Sequence, residues 1–158
     1  MGASHLRRDS GTYALLLRAD AEQTIAVGAL GTLTVQPGAY VYVGSAFGPG
    51  GVEARVRRHA RGDGALHWHV DYLRAVTTLA RVWWTHDETR RECDWATALR
   101  ERSDTAVPLD GFGASDCGCP SHLVRAELAS GAAGVRAMLR EAPAAAPVHE
   151  RNVTSLGA

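Results

Sequence analysis

Residues 12–18 limit what this chain can become more than any other segment. Strand alternation puts Tyr13, Leu15 and Leu17 on one face and Ala14 and Leu16 on the other. Both faces are apolar, so the strand must be covered on both sides and belongs inside a sheet. Residues 24–27 and 33–35, set off by Gly28 and Gly31, read as a hairpin, and residues 39–44 as a further strand. A glycine-rich stretch, Phe47-Gly48-Pro49-Gly50-Gly51, then opens a helix that runs to about Arg61. Patterning predicts a short helix over 67–75, a strand over 79–86 with Trp83 and Trp84, and a helix over 88–102. A strand or helix start at 122–126 and a helix near 134–141 complete the pattern. The fold class is α+β, a mostly antiparallel sheet flanked by helices. Residues 1–10 read as a flexible arm, 11–141 as one domain, and the alanine- and proline-rich 142–158 as a disordered tail.

Composition narrows the chemistry. A chain of 158 residues, 46% hydrophobic, supports one globular domain. It has no long apolar run and no charged-then-apolar leader, so the expected setting is cytoplasmic, without membrane contact. Net charge is zero, against a protein that coats nucleic acid but not against a local basic patch. All basic residues are arginine, which excludes Schiff-base chemistry and a phosphate-loop lysine.

Tyr40-Val41-Tyr42-Val43-Gly44 places both tyrosines on one strand face, which taken alone is a wet face. In the following helix Val52, Arg55, Val56 and His59 share one face. An arginine among valines needs an anion or a water-filled cleft, or else snorkels to the surface. Arg57, Arg58 and Arg61 spread over the other faces, as contacts to a nucleic-acid backbone or as a solvated surface. His67 and His69 flank Trp68, where either could contact substrate, cap a helix or pack. Cys93, Cys117, Cys119 and His122 are residue types that zinc accepts, although Gly118 alone separates the last two cysteines. Buried thiols in a packed loop are the other reading, and Asp116 could instead reach from this loop to a metal at an active site.

Gly11-Thr12-Tyr13, Tyr42-Val43-Gly44-Ser45 and Val52-Glu53-Ala54-Arg55-Val56-Arg57-Arg58-His59 together resemble the GIY-YIG nuclease family. Further segments, His67-Trp68-His69-Val70-Asp71-Tyr72-Leu73 and Gly111-Phe112-Gly113-Ala114-Ser115-Asp116-Cys117-Gly118-Cys119-Pro120-Ser121-His122-Leu123, are similar to one branch of it found in archaea and some bacteria. The resemblance implies a metal-dependent endonuclease acting on nucleic acid, DNA before RNA. It implies a site of Tyr13, Tyr42, Arg55, His59 and Glu92, with Glu92 holding Mg²⁺ or Mn²⁺ and Gly44 and Ser45 beside the substrate. Ser45 stands where many members carry lysine, which removes one phosphate contact. Histidine titrates near neutrality, so His59 is favoured over a tyrosine for proton transfer. Two other classes are an inactive nucleic-acid-binding module and a zinc-stabilised interaction domain. Without a segment that reads base sequence, a dimer or a partner would supply targeting.

Overall fold

The computed structural model describes residues 6–62, 64–114, 117–127, 131–142 and 147–152. Strands β1 (Gly11–Ala19), β2 (Gln23–Val27), β3 (Gly31–Val35) and β4 (Gly38–Ala46) come first. Helices α1 (Gly51–Arg61) and α2 (His69–Arg74) follow, then β5 (Thr78–Thr85) and α3 (Glu92–Arg100). β6 (Thr105–Ala106), β7 (Leu123–Ala126), α4 (Gly131–Glu141) and β8 (His149–Asn152) end the order. The main sheet runs β6-β7-β4-β1-β5-β8, every neighbouring pair antiparallel, and β2 with β3 forms a separate hairpin. This is an α+β fold with its sheet covered on both faces. No helix among the described residues is long and apolar enough to cross a membrane.

The two-faced pattern of β1 decides the layering. Tyr13, Leu15 and Leu17 pack with Val52 and Val56 of α1, Val70 and Leu73 of α2, and Val27, Leu33 and Val35 of the hairpin. Ala14 and Leu16 face the other way, against Trp95 and Leu99 of α3 and Val135 and Leu139 of α4. Trp84 serves the first face and Trp83 the second, both fully buried. A buried tryptophan removes on the order of 200 Å² from water, roughly 5 kcal/mol. That fixes β5 in place in spite of the register shift opposite Leu16 and Leu17.

Three expectations change. Tyr40 and Tyr42 are not on a wet face: Tyr40 is fully buried under the hairpin layer and its hydroxyl accepts the Gln36 N–H at 2.8 Å, while Tyr42 is 8% exposed. The arm is fastened at residues 6–10. Helix α1 starts at Gly50 and Gly51, both at positive φ, with no side-chain cap. The N–H groups of Val52 and Glu53 donate instead to the carbonyls of Asp9 and Arg7. A side chain at Gly51 would collide with the Arg8 carbonyl, so glycine lets the arm approach. Residues 149–152, expected in the disordered tail, form β8 on the edge of β5. Glu150 reaches both Arg81 (3.4 Å) and Arg136 (2.9 Å), and His149 lies against Trp84. His-Glu-Arg-Asn has no apolar alternation, so the pairing comes from the open β5 edge and these charges. Residues 1–5, 143–146 and 153–158 lie outside the described residues.

A chain ending at Val148 should lose β8 and both Glu150 ion pairs. The expected cost is about 1–2 kcal/mol, a thermal midpoint lower by roughly 3–8 °C. An unchanged midpoint in calorimetry would show that the strand contributes nothing.

Candidate active site

A cleft of about 650 Å³ opens where β1, β4, α1, the start of α3 and the loop before β7 meet. Tyr13, Tyr42, Ser45, Arg55 and Glu92 all line it. The sheet register brings Tyr13, Tyr42 and Ser45 together, and helices α1 and α3 add Arg55 and Glu92. In that register Tyr13 faces Gly44, and Leu15 faces Tyr42. A Cβ on Gly44 would sit 2.5 Å from the Tyr13 hydroxyl oxygen, so this glycine makes room for the phenol. Its reason is packing against Tyr13.

His59 stands behind Tyr13 and does not line the main cleft. Its Nε2 lies 2.8 Å from the Tyr13 hydroxyl, and the ring is 1% exposed. Burial, helped by the Arg58, Arg55 and Arg74 guanidiniums and opposed by Asp71, pulls its pKa down to about 4. At neutral pH it is therefore an uncharged imidazole able to accept the phenol proton. Burial pushes the Tyr13 and Tyr42 hydroxyls well above the ordinary tyrosine range; Arg55 opposes this without overcoming it. Both tyrosines are neutral phenols. Nδ1 of His59 is buried with no hydrogen-bond partner.

Arg55 reaches the cleft as the helix face predicts. Its Nη1 donates to the Ser45 carbonyl at 3.2 Å, and its guanidinium lies 4.3 Å from the centre of the Trp68 ring. The other arginines of α1 are placed differently. Arg58 is held by Asp71 through both carboxylate oxygens at 3.1 Å, donates to the Ala65 carbonyl, and also stacks on Trp68. Asp71 in turn accepts the backbone N–H groups of His67 and Trp68. Arg57 pairs with Glu53 at 3.7 Å, and Arg61 is exposed away from the cleft. His67 is exposed beside Trp68. His69 Nδ1 accepts the Gly113 N–H at 2.8 Å, so its ring fastens the loop before β7. Neither histidine lines the main cleft.

Glu92 occupies the first turn of α3, which is tied to β1 by the Arg91 N–H donating to Thr12 Oγ1. Its Oε2 lies 3.7 Å from Nδ1 of His122. Cys93, Cys117, Cys119 and His122 offer ligand atoms all within 4.8 Å of one another, a set that can hold a metal ion such as zinc. Burial, then hydrogen bonds with Cys119 and Cys117, push the Cys93 thiol up. Asp116 lies outside the described residues.

Sequence reasoning passed over Trp68, Phe47, Arg90 and Gly113 as cleft residues. Arg90 stacks on Phe47 at 4.5 Å and its Nη1 is 3.4 Å from Ser45 Oγ, which sets a cation beside the position where lysine was expected. Only pairing across 45 positions reveals this. Trp68 had a local signal, an aromatic ring between two histidines, but its two guanidinium partners are visible only in the fold.

Because folding depresses the His59 pKa from 6.5 to about 4, the unfolded chain binds the proton more tightly. The associated stability is complete above pH 6.5 and is lost as the pH falls through 6.5 towards 4. The loss is about 3 kcal/mol. Urea unfolding at pH 7.5 and 4.5 should show it, and His59→Gln should reduce the difference by that amount. Equal pH dependence in both proteins would sink this account.

No curated protein and no solved structure matches the chain. A family model does, over residues 12–143, from the start of β1 past the end of α4. The chain belongs to the family described as Domain of unknown function DUF123.

Proposed function

We propose that this chain is a cytoplasmic, divalent-metal-dependent endonuclease of the GIY-YIG type, hydrolysing phosphodiester bonds in nucleic acid, with DNA as substrate. The observation that carries the reading is the gathering of two neutral phenols, two guanidiniums and one carboxylate around a single open cleft. Glu92 is the only carboxylate among the described residues lining it. One carboxylate with water and substrate phosphate suits Mg²⁺ or Mn²⁺, which keeps several waters and needs no full protein cage. The residues therefore fit the cation. When bound, it would shield the developing charge on phosphate and leaving oxygen.

The chain's own residues do the rest. Arg55, set by Ser45 and Trp68, presents planar donors to the phosphate oxygens, and Arg90 adds a second cation on the Phe47 side. An attacking water gives its proton to the Tyr13 oxygen as Tyr13 passes its own to His59 Nε2. The His59 pKa is low in the free protein, and phosphate anion in the cleft raises it towards what the transfer needs. His59 acts through Tyr13 and not on the water directly. Tyr42, beside Tyr13 at 6.5 Å between ring centres, orients the phosphate. With no net charge and few cleft cations, grip on nucleic acid is modest, and a dimer or partner supplies targeting.

Cleavage of supercoiled plasmid with Mg²⁺ or Mn²⁺ tests this. Wild type should cut; Glu92→Ala should not. Arg55→Lys should slow cutting on the order of 10²–10³-fold, because a point charge does not replace a two-pronged donor. Binding without cutting by wild type would make the protein an inactive module. Equal cutting by Glu92→Ala would remove the carboxylate from the mechanism.

A further inference from the structure

We propose that Cys93, Cys117, Cys119 and His122 bind one zinc ion, and that Glu92 steadies the histidine from behind. The ion would clamp the loop before β7 onto α3 at the wall of the cleft. Cys93 comes from the first turn of α3 and the other three ligands from the loop. A tetrahedron with zinc–sulfur bonds of ~2.3 Å and zinc–nitrogen bonds of ~2.0 Å separates its ligand atoms by roughly 3.5–3.8 Å. Here His122 Nε2 lies 3.2 Å from Cys117 Sγ and 3.9 Å from Cys93 Sγ, and all four ligand atoms fall within 4.8 Å of one another. The three cysteines are in no disulfide.

The histidine supplies an independent observation. With Nε2 turned to the thiols, its other nitrogen, Nδ1, is buried, lacks a hydrogen-bond partner and points at Glu92 Oε2, 3.7 Å away. Metal-bound histidine commonly hands that second N–H to a carboxylate, which fixes its tautomer and makes it a better ligand. A small closing movement would complete the bond. Oε2 of Glu92 then accepts the His122 N–H.

Thiolates select zinc over the hard cations suited to the cleft, so the two metal sites are distinct. Four protein ligands leave no open position for water, which makes the zinc a structural ion. The loop it would close is otherwise cinched by Gly111 N–H to Pro120 O (2.7 Å) and His122 N–H to Phe112 O (2.8 Å). Gly113, Cys117 and His122 of this loop line the cleft, so the clamp shapes the wall facing Arg55.

Elemental analysis of the full-length chain, purified under reducing conditions, should find one zinc per molecule. Cobalt exchanged into it should give the spectrum of a tetrahedral thiolate site. Cys93→Ser and Cys119→Ser should lose the metal. Since those variants can unfold, His122→Cys provides the control: four thiolates should keep zinc at full stoichiometry. Glu92→Gln should keep the stoichiometry too, but yield zinc to a competing chelator about 10–100-fold more readily. Protein that neither carries zinc nor takes it up when supplied, a Cys117–Cys119 disulfide, or iron in place of zinc would overturn the site. Unchanged zinc affinity in Glu92→Gln would overturn the role of the carboxylate. None of these readouts involves nucleic acid, so the site stands or falls apart from any cleavage activity.

Discussion

The 2.8 Å contact between Tyr13 and His59 joins the central strand to the helix that covers it, and most of the cleft is arranged around it. A buried phenol needs a partner, and a neutral imidazole can accept its proton. Once that pair is set, Gly44 has to lack a side chain, because the phenol ring occupies the space a Cβ would take. The same pair sets how closely α1 lies on β1, and thereby where Arg55, one turn before His59, enters the cleft.

Around this neutral centre the charges are divided between support and exposure. Arg58 and Arg74 are engaged in holding backbone and carboxylate groups: Arg58 the Asp71 carboxylate, Arg74 the carbonyls of His59, Ala60 and Thr77. They end α1 and fix the start of α2, which carries Trp68 to the cleft rim. Arg55 and Arg90 are the guanidiniums lining the cleft. Each rests on an aromatic ring, a geometry that suits the flat, weakly hydrated guanidinium better than an ammonium. A chain without lysine builds its cationic surfaces in this manner.

Local pattern was a good guide wherever an element's own sequence determines it. The two apolar faces of β1, the glycine-bounded hairpin and the valine stripe of α1 carry their burial in their spacing. Tyr13, Tyr42, Arg55 and Glu92, which share a cleft, are grouped as a site in the sequence only by the family resemblance. His59 shares the apolar stripe with Arg55, yet one turn along the helix places it behind Tyr13 instead of at the cleft. Residues 6–10 and 149–152 look unstructured because their order comes from partners elsewhere: helix-end N–H groups in one case, a bare strand edge in the other. Arg90 beside Ser45 is likewise a product of topology, invisible to any window along the chain, whereas residue type alone groups Cys93 with the cysteine loop and the fold brings the four ligand atoms together.

The glycine-rich turn before α1 invites comparison with loops that cradle anions on bare backbone amides. Here that end of the helix has no vacancy. Gly51 N–H donates to Gly48, Val52 to Asp9, Glu53 to Arg7 and Ala54 to Gly50, so all four leading amides are already engaged within the chain. An anion entering the neighbouring cleft meets side chains and the backbone of Gly48 and Gly113, and not the helix end. Its recognition can therefore be retuned one residue at a time, without rebuilding the backbone that supports the site.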